Sequence, residues 1–594
     1  MHKVANTEKL MDIKLVLYSL FISGIGIISL TYIIAYLSKF PWFLYWVGFF
    51  LCTVPVFIIV QNQEFTSKTK CCSLFLYGMV FYLIQYLGSG GYYNFRDEFL
   101  MGNITKAIYL NESLDIVSTV ASNPIYLVLI KFPGMELLIV ALQKITGITN
   151  SYPVSSLTIM MIHSTVLVLL YFIASKISGN TVVSGVAAFV YSANIDYSWV
   201  NTIYHYESIS LILFFVAIYL TISRSMENSS RNYISYSILF VLVTSSITIT
   251  HHLSTYALFS ILVTFIIIHS LAGFYATGFK SLMPINYVLL LFGFAGFWLV
   301  YSASDVVGYY QNNILQAIRQ VLEASYISSV ETNIISVPSW GKGLPSWELF
   351  IYKFLYVPSL IAIFIIGLYS FNKLAKREKS KWSNKIVFQY CMVAISFLAF
   401  ISILFSATNS AKASEVMRRL LPFFFIGTSF TIAYSIKGRF TFKQFLIMSL
   451  LCVVIFGGTG IGTSRVRGVN SHEPKYYYAD PMKNPDIVAA NNWINIYSPY
   501  SFSTDLLTEL ILDIKQQKGE SMLTWDKVNS KQILLIEKIK YDNWEPFRVV
   551  ALREGDKSFM PGDPAISQFV DNFKMNNIAL LSYNNGSGKL YIKW

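Results

Sequence analysis

The chain is poor in charge. Only 13% of its 594 residues are Asp, Glu, Lys or Arg, against 54% hydrophobic and 16% aromatic. That balance excludes an ordinary soluble domain, where about a quarter of residues are charged. Cysteine is scarcer still: Cys52, Cys71, Cys72, Cys391 and Cys452 all fall in or beside apolar runs, without metal-ligand spacing, which argues against a disulfide framework or a zinc site. There is no P-loop, no GxGxxG fingerprint and no internal repeat, so nothing marks an ATP-driven machine. No small-residue cleavage site follows the first apolar run, which is long and contains Gly and Tyr; it reads as a retained anchor.

What the chain has instead is long apolar runs. A window of about 19 residues finds thirteen candidates near 13–37, 42–60, 71–89, 157–175, 181–194, 207–223, 233–249, 253–273, 285–302, 351–371, 386–406, 420–436 and 443–462. The fifth is short. Crossing roughly 30 Å of hydrocarbon requires helical backbone, because lipid offers no partner to an open N–H or C=O. The expected fold is therefore an all-α polytopic membrane protein of about 13 transmembrane helices, residues 1–464, with outer loops at 90–156 and 303–350.

Acid is outnumbered by base, giving a net charge of +13. The placement of the basic residues argues for a membrane and not for nucleic acid. With the N-terminus cytoplasmic, the inner loops hold Lys68, Lys70, Lys176, Arg224, Arg231, Lys280, a run from Lys373 to Lys385, and Lys437, Arg439 and Lys443. That is about fifteen basic residues in short loops, the positive-inside bias.

This topology sends a set of polar segments to the outer side. "RDE", Arg96 to Glu98, follows the third span; "ANIDYSWVNTIYHYES" carries Asp196, His205 and Glu207; "THHLSTY" carries His251 and His252; "ASEVMRRLLP" carries Glu415, Arg418 and Arg419. Each alone has an ordinary explanation: an interfacial turn for the histidines, snorkelling for the arginines, an Asx turn for Asp196. Together, acidic, imidazole and guanidinium groups at several outer helix ends are costly unless they pair or work. Within the first outer loop, Phe132-Pro133-Gly134 breaks the chain, Pro133 can start a helix and Gly147 can end it. Its apolar Leu137, Leu138, Val140, Ala141, Leu142 and Ile145 against polar Glu136, Gln143 and Lys144 predict an amphipathic helix lying on the membrane.

These residues carry a resemblance. The Asp97-Glu98 pair at the start of the first long outer loop, followed by Pro-containing interfacial segments over 124–148, resembles the GT-C glycosyltransferases, which take a sugar from a polyprenyl-phosphate donor on the extracytoplasmic side. "YHYES" with "ITHHLSTY" is similar to paired segments of archaeal membrane proteins grouped with that superfamily. The chain departs from the pattern in having two spans ahead of the one that carries the acid pair, and it has no WWDYG-like motif in the C-terminal domain, which argues against an oligosaccharyltransferase. The resemblance implies a polyprenyl-phosphate-sugar donor, a glycan, lipid or protein acceptor, membrane lipids as surroundings, no nucleic acid, and a multi-pass position in the cell membrane.

The chemistry fits these residue types independently. Glycosyl transfer from a lipid phosphate needs a carboxylate to deprotonate the acceptor and cations to hold the departing phosphate. Asp97 is the expected base, kept ionised by Arg96, while Glu98 binds a cation or braces the loop. Arg418 and Arg419 offer forked donors to phosphate; His251 or His252 could donate to it or join carboxylates on a divalent cation, Mg or Mn, whose need is left open. His205 and Glu207 complete the expected substrate-binding set. A polysaccharide polymerase or ligase uses the same donor chemistry, and a transporter or flippase of lipid-linked glycans is the alternative from another class.

After Gly462 the composition turns polar. "NPDIVAANNWINIYS" and "DLLTELILDIKQQ" predict helices, and "QILLIEKI", "RVVAL" and "NIALLSY" predict strands. Residues 465–594 are expected to form a small extracytoplasmic α/β domain. Asn103, Asn111 and Asn585 begin sequons that this topology places outside.

Overall fold

The structure is a computed structural model that describes residues 2–37, 40–89, 96–113, 130–227, 229–275, 285–304, 346–378, 383–406, 411–436 and 442–468, and eight strands between 502 and 593. The helices are α1 (His2–Leu37), α2 (Trp42–Gln61), α3 (Ser67–Ser89), α4 (Arg96–Asn111), α5 (Gly134–Thr146), α6 (Ser151–Ser178), α7 (Thr181–Tyr191), α8 (Tyr206–Ser225), α9 (Ser230–Thr250), α10 (His252–Tyr275), α11 (Ile285–Phe297), α12 (Ser346–Phe350), α13 (Val357–Glu378), α14 (Asn384–Ser406), α15 (Ala411–Ala433) and α16 (Phe442–Gly468). Among the described residues, 11 helices are long and apolar enough to cross a membrane, and the stretches Thr181–Tyr191 and Leu446–Gly460 are shorter apolar helices. Those two fall on the fifth and thirteenth runs of the sequence.

The chain divides into two compact units. One comprises residues 1–33, 41–85 and 123–468, the other 34–40, 86–122 and 469–594. The first is a helical bundle with an aromatic and aliphatic core, in which Tyr45, Phe49, Tyr77, Phe81 and Phe189 are fully buried. Edge-to-face and stacked ring contacts knit α2, α3 and α7 through these side chains.

The fifth run is short because helix supplies only part of the crossing. Ile177, at the end of α6, and Ser225, at the end of α8, present their carbonyls to Gln389 and Asn384, both near the start of α14. The two helix ends therefore share one side, and Tyr206 starts α8 on the opposite side. Residues 179–205 must traverse the bundle. At 11 residues α7 covers about 16 Å, roughly half a bilayer core. The buried connector 192–205 covers the rest.

Non-helical backbone at that depth survives only when protein surrounds it and its polar groups find partners. Here the Asn194 side chain accepts from the backbone N–H of Asp196 at 2.9 Å and of Tyr197 at 3.3 Å. The turn expected of Asp196 is thus made by Asn194, two residues earlier. Tyr356 donates to the Ala193 carbonyl at 3.3 Å, and Tyr197 donates to the His163 carbonyl at 3.1 Å while its ring stacks on His163. Gly458 on α16 lies against the same Ala193 carbonyl, where a Cβ would collide with backbone.

The basic ends meet on the α14 side. The buried Lys70 donates to the Thr181 carbonyl at 3.3 Å, and the Lys385 ammonium lies beside Gly179. Arg224 is held between the rings of Tyr233 and Tyr287, 3.5 and 5.0 Å from their centroids, and donates to Ser237 at 3.1 Å.

In the second unit α4 carries the acid pair. Glu98, Met101, Ile104, Thr105 and Ile108 are buried at spacings of three and four, so Glu98 belongs to a buried helical stripe. The strands are β1 (Phe502–Ser503), β2 (Leu523–Thr524), β3 (Ile533–Lys538), β4 (Phe547–Arg548), β5 (Leu552–Glu554), β6 (Lys557–Phe559), β7 (Ala579–Asn584) and β8 (Gly588–Lys593). They form a sheet ordered β1-β3-β8-β7, with β4 on β3, and a three-stranded sheet ordered β2-β5-β6. The runs "QILLIEKI" and "NIALLSY" supply β3 and β7; the two C-terminal helices expected from sequence lie outside the described residues.

Candidate functional site

The helical bundle gathers the polar ends of α8, α9, α10 and α15 around one carboxylate. Glu207, in the first turn of α8, is buried, and its Oε1 lies 3.4 Å from the Arg419 guanidinium and 3.8 Å from His251 Nε2. Arg419 also donates to the Tyr206 hydroxyl at 3.3 Å. The Arg419 side chain is 28% exposed, so the cation reaches from a buried acid toward the surface. An acid in the first turn of a helix is favoured by the helix dipole and the open N–H groups there. Burying it is costly without a partner, and Arg419 is the partner in view.

His205 also serves the backbone. It is the N-cap of α8, in extended backbone, and its Nδ1 accepts from the Glu207 backbone N–H at 3.3 Å. Its ring packs on Tyr206, Tyr206 packs on His251, and His251 meets His252, with centroids 3.9, 4.5 and 5.0 Å apart. His251 lies at the break between α9 and α10. Its Nδ1 is 2.6 Å from the Ser254 hydroxyl, and Ser254 is 2.7 Å from the Ser210 hydroxyl. Burial first, then the neighbouring His252, His205 and Arg419, holds the His251 imidazole well below its ordinary range, so it is neutral at physiological pH.

The loop helix α5 reaches this end of the bundle. Pro133 precedes it and Gly147 ends it in the left-handed region at φ 72°, as the sequence predicts. Gly134 lies against Thr250, and the Phe132 ring is 5.2 Å from His252. The orientation of α5 differs from the expected one. Glu136 and Gln143 are buried together with Met135 and Ile139, whereas Ile145 is exposed, so the polar positions face the protein. Both Glu136 carboxyl oxygens are buried without a hydrogen-bond partner, and burial pushes the group up to about 8.

Of the residues singled out in the sequence, His205, Glu207, His251, His252 and Arg419 come together. Glu98 belongs to the other unit. The side chains of Arg96, Asp97 and Arg418 lie outside the described residues. Tyr206, Ser210 and Ser254 were missed, although Ser210 and Ser254 each stand three residues after a chosen one, Glu207 and His251, on the same helical face. Among the described residues, no three His, Cys, Asp or Glu side chains are placed to hold a metal ion. Glu207 with His251 is two donors, and Arg419 already brings positive charge to the carboxylate, so a divalent cation does not fit this cluster.

A scan against protein-family models finds no match, and a search of curated protein sequences finds none either. The chain is similar to solved structures. One is the apo oligosaccharyltransferase of Archaeoglobus fulgidus, at 9% identity and TM-score 0.43, covering 75% of this chain and 64% of that one. Another is ArnT from Cupriavidus metallidurans bound to undecaprenyl phosphate, at 8% identity and TM-score 0.48, covering 88% of this chain and 97% of that one. A third is the oligosaccharyltransferase AglB from Archaeoglobus fulgidus in complex with an inhibitory peptide and a dolichol-phosphate, at 9% identity and TM-score 0.40, covering 75% of this chain and 64% of that one. The chain thus spans less than two thirds, 64%, of the length of the Archaeoglobus protein. At such low similarity, function has to be read from this chain's own side chains.

Proposed function

We propose that the protein is a membrane glycosyltransferase that moves a sugar from a polyprenyl-phosphate-linked donor to an acceptor on the extracytoplasmic side. The observation that carries this is Arg419: a partly exposed guanidinium, braced by buried Glu207 and Tyr206, at the end of the bundle opposite the basic loops. A braced guanidinium is held in a fixed orientation, which suits a phosphate whose charge grows as the glycosyl bond breaks. Tyr206 and the buried His251 make the surroundings less wet, so each charge acts more strongly there.

In this reading the acceptor oxygen bonds to the anomeric carbon as the bond from that carbon to the phosphate oxygen breaks. The electron pair leaves on the phosphate, and a carboxylate takes the acceptor's proton. Asp97 is the proposed base and Glu98 its brace. The distribution of basic loops supports a cytoplasmic N-terminus and an extracytoplasmic position for residues 465–594. Purified protein in liposomes, supplied with undecaprenyl- or dolichyl-phosphate hexoses, should release free polyprenyl phosphate in step with glycoside formation. Asp97→Asn should lower that rate about 10² to 10⁴-fold, the usual contribution of a general base, with donor retention intact. No release from any polyprenyl-phosphate sugar would contradict the proposal, and normal turnover by Asp97→Asn would remove Asp97 from the role.

A further inference from the structure

Arg419 stands three residues ahead of a proline that lies inside its own helix. Pro422 has no N–H, so the carbonyl of Arg418, one turn back, loses the bond that an α-helix would give it. The turn of α15 that carries Arg419 is therefore held less by the helix itself and more by what packs on it. Tyr191, the last residue of α7, is fully buried there, and its hydroxyl donates to the Pro422 carbonyl at 2.7 Å. A helix carbonyl accepts from the N–H four residues on, so the tyrosine fills the second lone pair and draws that carbonyl toward α7. The Tyr191 ring also meets Phe425 at 6.1 Å, and Phe214 on α8 meets Phe423 at 4.9 Å. Arg419, Pro422 and Phe423 share one face of α15 by their spacing. Two helices thus pin α15 within a turn of the guanidinium, and further along Gly427 lies against α14, where a Cβ would collide with the Met392 carbonyl.

Tyr191 and the brace of Arg419 belong to one piece of chain. Tyr191 ends α7, the buried connector follows, and Tyr206 and Glu207 open α8. The connector is itself fixed, by the Asn194 side chain on the backbone of Asp196 and Tyr197 and by the Tyr197 hydroxyl on the His163 carbonyl. Helix α15 is thus fastened to both ends of the same stretch, its Pro422 backbone to Tyr191 and its Arg419 guanidinium to Tyr206 and Glu207. We infer that Tyr191 and Pro422 are positioning residues for Arg419, with the hydroxyl-to-carbonyl bond setting where the guanidinium sits against Glu207 and Tyr206. The two guanidinium contacts are long, 3.4 and 3.3 Å, so a small shift of the turn breaks them. A residue at 422 with an N–H would restore the helical bond and straighten the turn; a residue at 191 without a hydroxyl would release it. This inference deepens the glycosyltransferase proposal and rests on it only for the phosphate that Arg419 binds.

The test is a double-mutant cycle on full-length protein, comparing wild type, Tyr191→Phe, Arg419→Ala and the pair. Retained undecaprenyl phosphate is read by native mass spectrometry, at lipid concentrations high enough for Arg419→Ala to show measurable retention. Tyr191→Phe removes one hydroxyl and keeps the ring. It should lower retention about three- to tenfold, the loss of one good hydrogen bond, and should cost nothing further in the Arg419→Ala background, because the tyrosine acts through the arginine. Pro422→Ala should behave in the same non-additive way. Losses that multiply in the pair, or full retention by Tyr191→Phe, would overturn the inference. A second reading needs no lipid phosphate: ¹⁵N solid-state NMR of arginine-labelled protein in nanodiscs, with the Arg419 signals assigned by their loss in Arg419→Ala. The two Nη resonances should be distinct in wild type and converge in Tyr191→Phe, as the guanidinium leaves Glu207 and Tyr206; resonances that do not move would also overturn the inference. Convergence in a protein whose wild type retains no lipid phosphate would sink the glycosyltransferase proposal and leave the positioning role standing.

Discussion

Helix α8 buries a charge at each end, and the two ends could hardly be treated more differently. At the Ser225 end, Arg224 is closed off: two tyrosine rings cover its faces, Ser237 accepts from it, and Tyr287 donates to the same serine at 3.1 Å. Every group in that clamp answers another. At the Tyr206 end, Glu207 meets a guanidinium that is partly in solvent and an imidazole nitrogen that has no hydrogen-bond partner among the described residues. Buried charge alone therefore does not mark a site; an open inventory of donors and acceptors around it does.

The largest expected effect falls on the open end. Arg419→Ala should lower transfer from a polyprenyl-phosphate sugar about 10² to 10³-fold, the usual cost of deleting one charge-stabilising donor. It should also lower thermal stability, because deleting the guanidinium leaves the buried Glu207 carboxylate without that ion-pair partner, so transfer is scored per folded molecule. Steady-state transfer and a melting curve on the same preparation check both halves. The closed end should lose stability and keep its turnover. Arg224→Ala loses two cation–π contacts and a charged hydrogen bond, about 2 to 4 kcal/mol in all, with unchanged turnover per folded molecule. Loss of turnover without loss of stability there would break the contrast.

Glu136 is the intermediate case, a buried acid with no partner, and pH sharpens it. Its carboxyl is raised from 4.5 to about 8 in the folded protein, so over that window the folded state holds a proton that the unfolded state has released. Stability should fall as pH rises from 4.5 to about 8, by up to roughly 1.4 kcal/mol per unit from this group. Glu136→Gln should flatten that slope in melting curves recorded across the window. An unchanged slope would mean that Glu136 is solvated or paired in solution.

Much of this arrangement was legible in the sequence, for physical reasons that differ by element. The apolar runs announce themselves because lipid tolerates little else, and the break at Phe132-Pro133-Gly134 with its closing Gly147 is local backbone chemistry that needs no tertiary context. The convergence of Glu207, His251, His252 and Arg419 followed from sorting helix ends by side. What the sequence hid was direction. Glu136 and Gln143 look like a solvent face until α8 and α9 pack over them, and the apolar fifth run gives no sign that helix ends at Tyr191 and a buried connector completes the crossing. The cap that His205 makes on α8 is set by extended backbone, which composition does not reveal. The two serines were overlooked because hydroxyls are common in membrane helices; only their three-residue spacing from Glu207 and His251 distinguished them.

The central claim is that the Glu207 end of the bundle binds a lipid phosphate through Arg419 while the Arg224 end holds the fold. Native mass spectrometry of the protein released from detergent with undecaprenyl phosphate tests it most directly, using wild type, Arg419→Ala and Arg224→Ala. The account predicts one retained lipid phosphate in wild type and Arg224→Ala, and about tenfold or greater loss of retention in Arg419→Ala, as expected for deleting a charged hydrogen-bond partner. Equal retention by wild type and Arg419→Ala, or loss confined to Arg224→Ala, would contradict it.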